Sequence, residues 1–117
     1  MTSLVACIST GKGTWAHVAK LIKDEKWDRI YLVAEEYGMK FTAPENAEFI
    51  LIKTEKTIPE ISKDIFSQLK GKINDLEVAV NLVSGEGKEH MAIISALTKL
   101  GLGIRLVVTT QKGIEEI

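Results

Sequence analysis

Short apolar runs alternate along this chain with stretches in which apolar residues recur at helical spacing. This alternation predicts an α/β fold, because buried parallel strands read as continuous apolar runs and amphipathic helices carry one apolar stripe. We predict five strands and three helices in the order β-α-β-β-α-β-α-β. The predicted strands are 4–9, 29–34, 49–53, 77–83 and 104–109, and the helices begin near Thr14, Pro59 and Glu89.

Right-handed crossovers turn this order into one Rossmann-like, doubly wound and mostly parallel sheet with helices on both faces. The first and fourth strands are then central neighbours. A length of 117 residues fits a single domain over the whole chain. In such sheets ligands bind outside the carboxyl ends of the strands, where the strand order reverses, so functional residues are expected at that edge.

Composition excludes some classes of protein but does not indicate a particular function. Hydrophobic residues make up 45% and charged residues 26%, as in ordinary soluble globular proteins. A net charge of -1 argues against tight binding to long nucleic acid, which needs many Lys and Arg contacts to phosphates. A lone cysteine, Cys7, suits a reducing compartment. With no long apolar stretch and no leader-like start, we expect a cytoplasmic protein without membrane association.

Two glycine loops carry the candidate chemistry. The first is Ser-Thr-Gly-Lys-Gly-Thr at 9–14, and the second is Ser-Gly-Glu-Gly-Lys-Glu-His at 84–90. Each follows an apolar run and leads into a helix, where glycine permits close backbone approach and a helix N-terminus offers free N–H groups. The loops therefore predict one anion-binding cleft with two walls, with the polar segment 109–111 beside it.

Two known phosphate motifs were compared with these loops by spacing. A P-loop needs Gly six residues before its Lys and Ser or Thr after it, and neither Lys12 nor Lys88 meets this requirement. The dinucleotide fingerprint G-x-G-x-x-A is met by Gly11, Gly13 and Ala16, with Glu35 placed to bind a ribose. A dinucleotide-binding domain stays open as an alternative, although it leaves the second loop unexplained.

The second loop also resembles a motif of CARF domains, the CRISPR-associated Rossmann-fold sensors. The segment concerned is Asn-Leu-Val-Ser-Gly-Glu-Gly-Lys-Glu-His-Met at 81–91. In that family the fourth strand ends in a polar residue, followed by a Gly-x-x-Lys loop and often a nearby Met. The first loop is similar to the other family signature, a Ser or Thr after strand one followed by Gly. Many CARF domains are fused to a helix-turn-helix or ribonuclease domain, so this chain resembles a standalone, minimal version.

The resemblance implies a ligand and an assembly. The ligand would be cyclic oligoadenylate, the second messenger of type III CRISPR systems, bound across the two-fold axis of a homodimer. Backbone N–H groups and lysines would hold its phosphates, and other side chains its adenines. The candidate ligand-binding residues are Gly11, Lys12, Gly13, Thr14, Asn81, Ser84, Gly85, Gly87 and Met91.

Some CARF proteins cleave the ring without metal, through attack of a ribose 2′-OH on the adjacent phosphorus. The resemblance places Ser9 or Thr10 and Lys88 at the catalytic positions, and His90 is a candidate general base. No metal-ligand cluster is visible, and we expect no metal or other cofactor. A non-catalytic sponge or regulatory subunit is the alternative.

Four further expectations concern packing. Trp15 and Trp27 are expected in the core or at an interface, and His17 on the helix surface outside the site. The third helix is apolar over much of its circumference, which favours deep burial or a subunit interface. The segment 35–48 is expected to be irregular, and the pattern does not say whether it closes over a ligand.

Overall fold

The chain forms one six-stranded sheet with three α-helices, as given by a computed structural model that describes residues 2–117, apart from the side chain of Lys12. The strands are β1 (Leu4–Ile8), β2 (Ile30–Ala34), β3 (Ala47–Leu51), β4 (Glu77–Asn81), β5 (Gly103–Thr110) and β6 (Gly113–Glu116). The helices are α1 (Trp15–Lys23), α2 (Ile58–Leu69) and α3 (Gly87–Lys99). Two short 3-10 helices span Lys12–Thr14 and Glu36–Lys40.

The strand order is β3-β2-β1-β4-β5-β6, with β1 to β5 parallel and β6 antiparallel to β5. The α/β class, the mostly parallel sheet and the adjacency of β1 and β4 are therefore confirmed. The predicted number of five strands was one too few. The missed strand β6 is short and carries Glu115 and Glu116, so it lacks the apolar run that marks a buried strand.

Apolar side chains pack on both faces of the sheet. One core cluster joins α2 and α3 to the sheet through residues such as Ile61, Ile65 and Ile93, and a second joins α1 through Val18 and Leu21. Trp27 belongs to the second cluster, as expected for a core residue. Helical spacing in the sequence predicts Trp15, Val18, Ala19 and Ile22 on one apolar face of this helix. For Ala19 this was wrong, since Ala19 is exposed and the buried residues of α1 are Val18 and Leu21.

Local capping residues define the ends of α2 and α3. The hydroxyl of Thr57 accepts from the backbone N–H of Glu60 at the start of α2, and Pro59 lies in the first turn. The residues Gly71 and Gly101 follow α2 and α3 with φ of 82° and 78°, a conformation that ends a helix and favours glycine.

The segment between β2 and β3 packs against the start of α1. Trp15 makes ring contacts with Tyr37 and Phe41 at centroid distances of 6.0 and 5.8 Å, and Phe41 is buried. These contacts hold the second 3-10 helix beside the carboxyl ends of β1 and β2. Within residues 2–117, no helix combines the length and apolar character needed to cross a membrane.

Candidate functional site

The two glycine loops meet at one edge of the sheet. Because β1 and β4 are parallel neighbours, both strands end at the same edge, where Asn81 pairs with Ala6 and β1 continues two residues further to Ile8. The backbone N–H of Ser9 donates to Ser84 Oγ at 2.9 Å, across 75 positions of sequence. Ser84 is fully buried, so its hydroxyl joins the two loops from the protein side. The shared edge expected from the sequence is therefore present.

The first loop is fixed at both ends and open in its middle. Trp15 Nε1 donates to Ser9 O at 2.6 Å, and Thr14 Oγ1 donates to Gly11 O at 2.7 Å. A Cβ added to Gly13 would meet nothing within 4 Å, and one added to Gly11 would only touch Thr14 Oγ1 at 4.0 Å. Neither glycine has a positive φ. The fold itself therefore does not require glycine at either position, and the absence of a side chain there would allow a ligand to approach the backbone.

The electrostatics at the start of α1 suit an anion. Within the described part of the chain, α1 has no acidic residue in its first turn and no side-chain hydrogen bond at its N-cap, Thr14. The preceding 3-10 helix has no acidic residue either, and Thr10 is exposed. The positive end of the helix dipole is therefore not offset by a carboxylate there. Lys12 follows in this loop, and its side chain lies outside the described residues.

The second loop is built differently. Gly85 has a φ of 101°, and a Cβ there would lie 2.7 Å from Cys7 Sγ. The N-cap residue of α3 is Glu86, whose backbone N–H donates to Glu89 Oε1 at 2.9 Å. Because a buried carboxylate already occupies the start of α3, this helix is the less favourable of the two for a phosphate. Gly87 has open space around it, as in the first loop.

Cys7 lies beneath the second loop and is structural. Its Sγ is 3.9 Å from Glu89 Oε2, and both side chains are buried. Burial raises the pKa of the Cys7 thiol, and the nearby Glu89 carboxylate raises it further. The thiol therefore stays protonated and lacks the thiolate character of a reactive cysteine.

Lys88 reaches from α3 toward the loop that follows β3. Its Nζ donates to Thr54 O at 2.6 Å, and the side chain is half-buried. Thr54 in turn donates through Oγ1 and its backbone N–H to the two carboxylate oxygens of Glu35, at 2.7 and 3.3 Å. The acid that a dinucleotide would need for its ribose is therefore already engaged within the protein.

The imidazole of His90 is oriented by the second loop. Its Nε2 lies 2.9 Å from Ser84 O, and a carbonyl oxygen only accepts, so Nε2 carries the proton. A proton could then be taken only at Nδ1. The next residue, Met91, is 62% exposed and can contact a ligand or a second chain.

Asn81 is buried at the end of β4, and its amide is fully engaged. The Oδ1 atom accepts from the backbone N–H of Val83 at 3.3 Å, while Nδ2 donates to Val107 O at 2.8 Å. The same Nδ2 lies 3.2 Å from His17 Nε2, and the backbone N–H of Thr109 donates to that nitrogen at 3.4 Å. His17 was expected on the helix surface, but it is half-buried and contacts Asn81, a candidate site residue. No spacing within one element signals this contact, because it joins α1 to β4.

Two of the cavities in the structure lie away from the glycine loops, and another lies beside the second loop. One cavity of about 390 Å³ is lined by Trp27 and Arg105, at the opposite edge of the sheet from the loops. Another, of about 500 Å³, lies along α2 beside Phe66. A third, of about 230 Å³, adjoins the second loop and is lined mainly by apolar residues. These residues include Leu82, Val83, Leu106, Val108 and Ile117.

Comparison with protein-family models, with curated proteins and with solved structures finds no match to this chain. The functional proposal therefore rests on the sequence motifs and the geometry of the two loops.

Proposed function

We propose that this chain is a CARF-like, Rossmann-type domain that binds cyclic oligoadenylate in the cytoplasm as a homodimer. The observation that carries the proposal is the hydrogen bond from Ser9 N–H to Ser84 Oγ at 2.9 Å. It joins the two loops that resemble the family signatures into one surface at the carboxyl ends of β1 and β4. A compact ring of phosphodiesters needs such a surface, with N–H donors and a cation on adjoining walls.

Of the two loops, the first is the better site for binding the phosphates. Gly11 and Gly13 leave open space where their side chains would be, and the first turn of α1 holds no acidic residue that would repel a phosphate. Lys88 supplies the positive charge from the opposite wall, and binding would exchange its contact with Thr54 O for a phosphate oxygen. A charge-assisted bond to phosphate is stronger than the neutral one it replaces.

An exposed apolar surface supports the homodimer. We define the β5 surface as Val83, Leu106, Val108 and Ile117, which line the 230 Å³ cavity. Val83, Leu106 and Ile117 are 41%, 38% and 77% exposed and line one cavity beside the second loop. A two-fold axis through this surface would bring two second loops together, as a symmetric ring requires.

Ring cleavage is a further step that the same residues would perform. The 2′-oxygen attacks phosphorus, the bond to the 5′-oxygen breaks, and the products end in a 2′,3′-cyclic phosphate and a 5′-hydroxyl. His90 Nδ1 would take the proton of the 2′-OH, because Nε2 is bonded to Ser84 O, and the departing 5′-oxygen would take a proton from water. Lys88 and a hydroxyl of Ser9 or Thr10 would stabilise the added negative charge.

The test is to incubate the purified protein with cyclic tetra-adenylate in EDTA, measure binding by calorimetry and separate products by chromatography. Lys88→Ala is compared with Lys99→Ala, which removes the same charge from the far end of the same helix. We expect at least about tenfold weaker binding for Lys88→Ala and unchanged binding for Lys99→Ala.

Linear fragments with cyclic phosphate ends would identify a ring nuclease, and tight binding of intact ligand would identify a sponge or regulatory subunit. Absence of binding by the wild-type protein to both cyclic tetra-adenylate and cyclic hexa-adenylate would refute the proposal.

A further inference from the structure

The orientation of the Asn81 amide determines which ring nitrogen of the neighbouring His17 carries the proton. Oδ1 of Asn81 faces the backbone N–H of Val83, and Nδ2 faces the carbonyl oxygen of Val107. Exchanging the two atoms would set donor against donor and acceptor against acceptor. The amide is therefore held in one orientation by the backbone on both sides.

The second hydrogen of Nδ2 then points to His17 Nε2 at 3.2 Å. The backbone N–H of Thr109 approaches the same nitrogen at 3.4 Å. An atom that faces two donors must be an acceptor, so Nε2 is unprotonated and Nδ1 carries the proton. His17 is thus a neutral imidazole that links α1 to β4 and β5.

This link bears on the first loop, which is held at both of its ends. At the start, Ser9 is fixed by Ser84 Oγ and by Trp15 Nε1. One turn into α1, His17 is fixed by Asn81 and Thr109. The open segment 10–14 lies between these two anchor points.

We propose that His17 is the positioning residue of the first loop, acting as a hydrogen-bond acceptor that sets the place of α1 against β4 and β5. This role rests on the function proposed above, because it is the phosphate-binding geometry of the loop that His17 maintains. Without the acceptor, the Asn81 and Thr109 donors lose their partner and the start of α1 is free to shift.

The test compares His17→Gln, whose side-chain oxygen can accept as Nε2 does, with His17→Leu, which cannot accept. Ala19→Gln is the control, because position 19 is an exposed site on the same helix. For cyclic tetra-adenylate we expect at least about tenfold weaker binding by His17→Leu. We expect His17→Gln to bind within about threefold of wild type and Ala19→Gln to bind as wild type does. If the wild type binds, equal loss in both His17 variants, or loss in neither, would overturn the proposal.

Nuclear magnetic resonance makes the positioning role measurable without ligand. The ¹⁵N spectrum of His17 should show a protonated Nδ1 and an unprotonated Nε2 in the free protein. The Gly11 and Gly13 amide signals should move in His17→Leu and stay in place in His17→Gln. A protonated Nε2, or unmoved glycine signals in His17→Leu, would refute the positioning role. If these signals behave as expected and no cyclic oligoadenylate binds, the proposed function fails and the positioning role stands.

Discussion

Substitution of Gly85 by alanine tests how tightly the second loop is fitted to the core. The new Cβ would lie 2.7 Å from Cys7 Sγ, 3.1 Å from His90 Nε2 and 3.2 Å from Glu89 Oε1. The φ of 101° adds strain for any residue with a side chain. Cys7 is fully buried in β1 and has little room to move away.

The expected loss of stability has two parts. The positive φ costs about 1 kcal/mol for alanine, after allowing for its lower entropy in the unfolded chain. Overpacking against Cys7 adds about 1–3 kcal/mol. We therefore expect Gly85→Ala to lower the free energy of unfolding by about 2–4 kcal/mol, or the Tm by roughly 8–16 °C.

The assay is urea unfolding followed by circular dichroism, with Gly71→Ala as the matched control. Gly71 also has a positive φ, of 82°, but a Cβ there would meet nothing within 4 Å. The control should therefore lose only the backbone part, about 1 kcal/mol. In a Cys7→Ala background the cost of Gly85→Ala should fall by about 1 kcal/mol, because the closest contact is gone. Equal losses in Gly85→Ala and Gly71→Ala would refute the close packing.

Three further predictions use the same purified protein. Burial raises the pKa of the Cys7 thiol, so its contribution to stability is fully present below the unfolded thiol's pKa of about 8.5. Above that pH the contribution falls by about 1.4 kcal/mol per pH unit. Cys7→Ala should remove this fall from the unfolding free energies measured in urea at a series of pH values. Equal pH dependence in wild type and Cys7→Ala would contradict the prediction. Thr57→Ala removes the cap of α2 and should lower unfolding free energy by about 1 kcal/mol, with no change contradicting the capping role. Val83→Lys and Leu106→Lys should convert dimer to monomer in sedimentation experiments, whereas Leu76→Lys, at an 86% exposed site outside the β5 surface, should not; a monomeric wild type would contradict the interface.

Much of the fold could be predicted because local pattern and tertiary structure agree. The runs at Leu4–Ile8 and Glu77–Asn81 are apolar and became adjacent central strands. The strand Gly113–Glu116 could not be predicted, because it is held by pairing with β5 and not by an apolar run of its own. The predicted apolar face of α1 was partly wrong, because tertiary packing decides which of its residues are buried.

The sequence predicts where the backbone of the candidate site lies, but not which of its side chains contact one another. Glycine loops after two parallel strands must share an edge, which follows from pattern and topology alone. The engagement of Glu35 by Thr54 and the link between His17 and Asn81 depend on which distant segments pack together. Asn81 and His17 are separated by 64 positions, and no spacing rule within one element relates them.

The most direct test of the central claim is a titration of ¹⁵N-labelled protein with cyclic tetra-adenylate, followed by the backbone amide signals of both glycine loops. The claim is that the loops form one binding surface, so the signals of Gly11, Gly13, Gly85 and Gly87 should move together with a single midpoint. Movement in only one loop, two separate midpoints, or no movement at saturating ligand would contradict it.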